Sequence, residues 1–245
     1  MKCVSIIATL FLLTFSVWAG RFVETFDDDL ADWQELNAHN AVPGSWEIID
    51  AELEMTNPGG GARFFTTGDE TWQDYSIEVN VKPLEKRGPG NIGILARVKG
   101  NRAVWCLVSD LFLNDPESKV MCISRDFNEK VHEALYIKRH RLLRLNKWSK
   151  LKLSVGGDHF TFSIDGKKIT ETGDPFILLH RGEELMIKTK DIASHPAGSA
   201  GFGLANYTAR FDNITITGDT IPNSGGFAVK SQGKLATTWG NLKRF

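Results

Sequence analysis

Short runs in which apolar and polar residues alternate follow one another along this chain, and many of them end at glycine, asparagine or aspartate. Such alternation puts successive side chains on opposite faces of a β-strand, whereas the 3.6-residue period of an amphipathic helix is almost absent. The Asp165-Gly166 pair between two alternating runs is a strong hairpin signal. The pattern predicts strands over residues 45–49, 52–55, 75–81, 91–98, 148–155, 159–164 and 167–170, with turns at 59–61, 88–90, 156–158 and 165–166. So many short strands predict an all-β protein, an antiparallel β-sandwich.

The two ends of the chain differ from the part between them. Lys2, the apolar run 4–17 and the small residue Ala19 have the layout of a secretory signal peptide, which predicts cleavage after residue 19 and an exported protein. No later stretch reaches the roughly 20 apolar residues of a transmembrane helix, so no integral membrane span is expected. Residues 20–218 are predicted to form one domain, and the Gly/Ser/Asn-rich residues 219–245 a flexible tail.

The charge of the chain is nearly balanced but unevenly distributed. The 29 Lys and Arg residues against 30 Asp and Glu residues give no reason to expect a nucleic-acid partner. Residues 138–152, however, hold seven Lys or Arg residues and no acid. One interpretation is a site for acidic or sulfated polysaccharide. The other is a solvated loop followed by an edge strand whose lysines discourage aggregation.

Two cysteines, Cys106 and Cys122, remain once Cys3 leaves with the signal peptide. Both lie in apolar runs that read as strands, and a hairpin centred on Asn114 puts them directly opposite each other. Cross-strand neighbours are close enough for a disulfide, and export permits one. The sequence therefore predicts a Cys106–Cys122 disulfide, with two half-buried thiols as the alternative.

The segment 201–216 reads as a strand, a tight connection and a second strand that carries an acid. Alternation puts Asp212 on the same face as Ile214 and Ile216. A carboxylate on an apolar face needs a partner, because burying it bare costs several kcal/mol. The candidates are an arginine, a set of backbone N–H groups or a metal ion.

The order and spacing of landmarks along residues 21–218 resemble a known fold family. The landmarks are 22–26, 32–33, 44–53, 74–79, 91–97, 148–151, 162–166 and 201–214. Their order is similar to that of the concanavalin A-like, laminin-G-type jelly roll, and within it to the 3-keto-disaccharide hydrolase domains. The resemblance implies a jelly-roll β-sandwich. It also implies a structural calcium ion, Ca2+, held by Glu24, by the backbone carbonyl near Ala51 and by Asp212, although Ala51 stands where the family favours glycine. The alternative is that Asp212 accepts backbone N–H bonds or pairs with Arg210 or Arg63.

The same family carries the pattern N-S-G-[IV]-x-x-R in a strand of its concave sheet. Residues 91–97 match it except that Ile92 replaces the serine. Alternation puts Asn91 and Arg97 on the face away from the core, and Trp105 on the next strand is placed to stack on a sugar ring. The resemblance therefore implies a ligand-binding face with Asn91, Arg97 and Trp105.

No catalytic residue can be assigned from the sequence. The paired carboxylates of glucanases on this fold have no counterpart, because Glu52, Glu54 and Glu78 lie in isolated or acid-rich settings. The expected function is an exported carbohydrate-binding or surface interaction module that takes a glycan or oligosaccharide. The alternative is a hydrolase or lyase that acts on 3-keto-glycosides at the same face. A third possibility is a protein partner that binds the Trp239-containing tail.

Overall fold

A computed structural model of the chain describes residues 20–27, 29–38, 40–111, 117–129, 132–180 and 183–225. The predicted signal peptide (1–19), the centre of the predicted hairpin loop at Asn114 and the tail beyond residue 225 lie outside these residues. Every regular element among the described residues is a β-strand, and this part of the chain contains no helix able to cross a membrane. The strands are β1 (Gly20–Glu24), β2 (Trp33–Asn37), β3 (Ser45–Ile49), β4 (Glu52–Asn57), β5 (Arg63–Thr67), β6 (Tyr75–Lys99), β7 (Arg102–Ser109), β8 (Lys119–Asp126), β9 (His132–Arg139), β10 (Ser149–Gly156), β11 (His159–Ile164), β12 (Lys167–Glu171), β13 (Pro175–His180), β14 (Glu183–Lys188), β15 (Ser199–Gly218) and β16 (Ser224–Gly225).

Two long antiparallel strands, β6 and β15, run through both layers of the molecule. Residues 75–81 of β6 and 211–218 of β15 lie in one layer, the back sheet, which β10, β11 and β12 extend on one side and β1 on the other. Residues 91–98 of β6 and 199–204 of β15 lie in the second layer, the front sheet, which β7, β8 and β9 extend on one side and β5 and β2 on the other. Strand β4 pairs with the middle of β15, β3 pairs with β4, and β13 and β14 form a separate hairpin.

The inner faces of the two sheets form the core. Ile77 and Val79 of the back sheet belong to the same buried cluster as Ile92, Ile94 and Cys106 of the front sheet. All five side chains are buried, and burial of apolar area at about 25 cal/mol per Å² is the main stabilising contribution. The expected all-β antiparallel sandwich of the jelly-roll type is confirmed.

The predicted turn at 88–90 and the predicted tight connection within 201–216 are wrong. The chain continues through both as strand, and the two irregular points meet where β6 and β15 pass from one sheet to the other. Asn206 donates from Nδ2 to the Pro89 carbonyl (2.5 Å) and from its backbone N–H to the Gly59 carbonyl (2.8 Å). Glycine and asparagine here permit a bend within a strand rather than a reversal of the chain.

β-Bulges shift the alternation of side chains in these long strands, and three of them share a positive φ angle. Arg97, Asn206 and Asn213 have positive φ angles of 52°, 56° and 50°, and each lies at a shift in strand register. An extra residue at a bulge moves every later side chain to the opposite face. The faces predicted by simple alternation therefore fail beyond each bulge.

Candidate functional site

A second apolar cluster covers the outer face of the front sheet. This outer cluster consists mainly of Phe64, Leu95, Trp105, Leu107, Met121, Ile123 and Phe127. The rings of Phe64 and Trp105 meet edge to face at 5.0 Å between centroids, and those of Phe64 and Phe127 lie 4.6 Å apart. The face that the sequence assigns to ligand binding is therefore largely closed by its own side chains.

Glycines in the central strands make room for these rings. A Cβ at Gly93 would lie 2.5 Å from Trp105 Nε1, and one at Gly203 would lie 2.5 Å from a ring carbon of Phe64. Neither distance is possible for a real side chain. The two aromatic rings lie directly on the sheet because these positions carry no side chain.

A cavity of about 100 Å³ opens at the edge of the outer cluster. Three of its lining side chains carry a buried polar atom with no hydrogen-bond partner among the described residues: Asn91 Oδ1, Trp105 Nε1 and Arg125 Nε. The rest of its lining is apolar or backbone-rich, with Ala38, Asn40, Gly60, Gly61, Ala62 and Leu111. Buried polar groups are almost always paired in folded proteins, so three unpaired atoms around one cavity mark a place where a polar ligand would be stabilised.

Arg125 was not identified from the sequence. It lies on β8 two residues beyond Ile123 of the outer cluster, and its guanidinium carbon is 5.9 Å from the centre of the Phe127 ring. Burial lowers the pKa of Arg125, and no described carboxylate forms an ion pair with it. The signal that would have revealed it is the alternation of Met121, Ile123 and Arg125 opposite Trp105 and Ala103.

Asn91 and Trp105 lie at this cavity, as the predicted ligand-binding face requires, but Trp105 is placed differently from the expectation. Its side chain is only 3% exposed, under Phe64 and Phe127. Trp105 therefore cannot stack on a sugar ring.

Arg97 does not share the face of Asn91, because the bulge at Arg97 turns its side chain away. The side chain is 1% exposed, and Nη1 donates to the carbonyls of Gly157 (2.6 Å) and His195 (2.7 Å) while Nη2 lies 3.4 Å from Asp74 Oδ1. Its backbone N–H donates to the hydroxyl of Tyr75 (2.6 Å). Arg97 thus links the loops that contain Gly157 and His195 to the end of the sandwich.

His195, whose carbonyl accepts from Arg97, makes a further contact at this end of the sandwich. Its Nε2 lies 2.7 Å from Ser124 Oγ. Burial, with the positive charges of Arg102 and Arg97, lowers the pKa of His195 to about 4. The imidazole is therefore neutral at pH 7 and serves the packing of this end of the molecule.

The predicted disulfide between Cys106 and Cys122 is confirmed. The two cysteines are directly opposite on β7 and β8, and both side chains lie on the inner face. The bond joins the strand that carries Trp105 to the strand that carries Arg125, so it holds both residues in register.

Of the residues expected to hold calcium, Glu24 already has hydrogen-bond partners within the protein. Glu24 is buried and accepts from the Phe26 N–H (2.7 Å) and from Trp33 Nε1 (3.0 Å). Ala51 has a φ of 59° and lies with Asp50 in the turn between β3 and β4. Within the described residues no cluster of three or more His, Cys, Asp or Glu side chains suits a metal ion, and the calcium site stays a prediction.

Asp212 is not on the face of Ile214 and Ile216. The bulge at Asn213 puts Phe211 into the core instead, and Asp212 accepts from the Asn213 N–H (2.6 Å). Partial burial, and the nearby charges of Glu52 and Asp27, raise the pKa of Asp212. The arginines weighed as its partners are engaged elsewhere, Arg210 with Glu52 and Glu54, and Arg63 with Glu35.

The isolated acids form surface ion pairs. Glu52 also contacts Lys82 (3.3 Å), and Glu78 contacts Lys152 (2.7 Å). The bond from Lys152 lowers the pKa of Glu78 despite some desolvation. These acids are ionised at neutral pH and paired with cations, which does not fit a catalytic acid.

Comparison with solved structures shows the same fold at low identity. A galectin-like protein of unknown function from Bacillus subtilis has a TM-score of 0.57 and 13% identity, over 82% of this chain and 97% of that chain. The carbohydrate-binding module CBM66 from Bacillus subtilis has a TM-score of 0.50 and 16% identity, over 76% and 95%. A β-glucanase from Bacillus licheniformis has a TM-score of 0.50 and 14% identity, over 81% and 98%.

No curated protein matches the chain. Residues 21–217 match the family described as the 3-keto-alpha-glucoside-1,2-lyase-like domain, in agreement with the resemblance seen in the sequence. The match covers nearly the whole described part of the chain, and the protein belongs to this family.

Proposed function

We propose that the protein is an exported carbohydrate-binding module whose ligand is held at the cavity of Asn91, Trp105 and Arg125. The observation that carries the proposal is that each of these residues has a buried polar atom with no partner. One acceptor and two donors beside an apolar rim suit sugar hydroxyls, which both donate and accept, next to the apolar C–H face of the ring.

The size of the cavity limits what enters it. A volume of about 100 Å³ is smaller than the roughly 300–1,000 Å³ of sites that enclose a drug-sized ligand. It therefore suits the hydroxyl edge of one sugar unit rather than a whole oligosaccharide. We expect recognition of a terminal or side-branch sugar.

Substitution of Arg125 tests this function. Wild type and Arg125→Ala are screened on an array of neutral oligosaccharides, which the basic cleft of residues 138–152 does not select, and the best ligand is titrated calorimetrically. Loss of a charge-assisted hydrogen bond predicts at least about tenfold weaker binding. Arg87→Ala is the matched control, because Arg87 is exposed and pairs with Glu85 at 3.0 Å away from the cavity. Equal affinity of wild type and Arg125→Ala, or no binding to any glycan, would refute the proposal.

Export is part of the same proposal. The Cys106–Cys122 disulfide supports it, since such bonds persist mainly in oxidising compartments. Sequencing of the secreted protein is expected to give Gly20 as the first residue. Retention in the reducing cytoplasm with a full-length N-terminus would contradict export.

A second candidate function is an enzyme acting on 3-keto-glycosides, and family membership favours it. Elimination would require a base near the sugar, but the described residues that line the cavity include no carboxylate and no imidazole. Incubation with a 3-keto-glucoside separates the two functions: turnover supports the enzyme, and glycan binding without turnover supports the binding module.

We also propose that a structural calcium ion neutralises Asp212. The raised pKa of Asp212, which partial burial and the neighbouring Glu52 and Asp27 charges cause, supports a cation there. Glu24 fits less well, because both of its carboxylate oxygens already accept a hydrogen bond. Addition of EDTA is expected to lower the melting temperature of wild type but not that of Asp212→Asn.

A further inference from the structure

The basic segment 138–152 borders an open cleft of about 810 Å³, far larger than the cavity at Arg125. The cleft lies between the connection that joins β9 to β10 and the hairpin of β11 and β12. Its lining includes Arg141, Arg144, Lys147, Trp148 and Lys167. A volume of this size is typical of sites that take a ligand of several rings.

Four cations at the cleft have no acidic partner. Arg141, Arg144, Lys147 and Lys167 are exposed, and none forms an ion pair with a described residue. Asp165 is the single acid among the described residues of the lining, and it accepts from the backbone N–H of Lys150 (2.8 Å) and from Ser149 Oγ (3.4 Å). The cleft therefore carries an uncompensated positive charge.

The connection that carries these cations is held in place by the rest of the fold. Leu142 and Leu143 pack against the core, and the Asn146 N–H donates to the Pro83 carbonyl (2.7 Å). At the start of the connection, the His140 N–H donates to the Ser118 carbonyl (3.0 Å), and Ser118 Oγ donates to the His140 carbonyl (2.6 Å). The cations thus project from an ordered segment, which reduces the entropy lost on binding.

Trp148 adds an aromatic surface to the cleft. Its side chain is 40% exposed, and Lys82 Nζ lies 4.5 Å from the centre of its ring. An exposed tryptophan beside free guanidinium groups offers stacking for a sugar ring together with forked hydrogen bonds for a carboxylate or sulfate.

We infer that this cleft is a second binding site, specific for an acidic oligosaccharide that carries carboxylate or sulfate groups. The concave shape and the single aromatic surface favour a short saccharide chain over a membrane surface or a nucleic acid. The site uses residues of the back sheet and its connections, and it does not depend on the proposed function of Arg125.

Binding of heparin and polygalacturonate oligosaccharides at about 0.15 M salt tests the inference, because weak surface attraction fails at that ionic strength. Arg141→Ala with Arg144→Ala is expected to weaken binding at least about tenfold, since charge-assisted hydrogen bonds are lost. Trp148→Ala is expected to weaken it about fivefold or more by removing the stacking surface. Thermal melts establish that each variant is folded, and Arg141→Gln with Arg144→Gln replaces any pair that unfolds.

The matched control is Lys150→Ala with Lys152→Ala. These lysines belong to the same basic segment but contact Glu78, at 3.5 and 2.7 Å, and do not line the cleft. The control is expected to keep binding within about twofold, as is Arg125→Ala. The inference would be overturned if nothing binds at this salt, or if the control loses as much affinity as the arginine variant. It would also be overturned if single-stranded DNA or anionic vesicles bind equally well and Trp148→Ala has no effect.

Discussion

Arg97 and Arg125 are both arginines of the front sheet, and their surroundings assign them different roles. Arg97 has two carbonyl acceptors and a carboxylate within reach. Among the described residues, the Nε of both arginines has no hydrogen-bond partner, but the Nη atoms of Arg97 are paired whereas the guanidinium of Arg125 lies beside the Phe127 ring. A buried charge is tolerated when it is hydrogen-bonded and is costly when it is not. Arg97 is therefore structural, and Arg125 is the residue that we propose to bind a ligand.

The neutral imidazole of His195 gives a prediction about acid stability. Its pKa is about 4 in the folded protein and about 6.5 in the unfolded chain. The unfolded chain binds the extra proton between these values, so the contribution is complete above pH 6.5 and is lost as the pH falls towards 4. Over this interval the free energy of unfolding, measured with urea, is expected to fall by up to about 3 kcal/mol more in wild type than in His195→Gln. Parallel curves for wild type and variant would contradict it.

At the scale of strands, the sequence predicts element identity better than the direction of side chains. The predicted 45–49 and 159–164 agree with β3 and β11 residue for residue. Alternation fails at Arg97 and Asn213, because a bulge with positive φ moves the following residues by one position. The asparagine could have suggested such a bulge, since it tolerates positive φ, but nothing in the local sequence marks Arg97.

The disulfide between β7 and β8 gives a prediction for these strands. It closes a loop with a sequence separation of 16, so its reduction is expected to lower the free energy of unfolding by about 3 kcal/mol. Chemical denaturation with and without reductant measures the difference. Cys106→Ala with Cys122→Ala is the control, because reductant should leave its stability unchanged. An unaffected wild type would show that the bond does not stabilise these strands.

For the whole molecule, the sequence located one part of the candidate site and missed another. Asn91 and Trp105 line the same cavity, as residues of neighbouring strands should. Arg125 is distant in sequence and reaches the cavity only through the pairing of β7 with β8. The sequence also did not predict that apolar side chains cover the outer face. Residues 104–108 form one apolar run, and such a run does not show which side chains pack against each face of the strand.

Residues that follow 218 contact the sandwich. Ile221 is 4% exposed within the core cluster, and the Arg21 N–H donates to Asn223 Oδ1 (3.0 Å). Ser224 and Gly225 pair in parallel with Phe22 and Val23 of β1. The segment 219–225, predicted as flexible tail, is therefore packed against the sandwich.

Two truncations separate this packed segment from the tail beyond it. A chain that ends at Gly225 is expected to keep the stability and glycan binding of wild type. A chain that ends at Gly218 loses the burial of Ile221 and is expected to unfold about 2–5 kcal/mol more easily. If residues 226–245 with Trp239 engage a protein partner, both truncations lose that partner in a pull-down while the longer one keeps glycan binding. Loss of glycan binding in the longer truncation would instead make the tail part of the binding module.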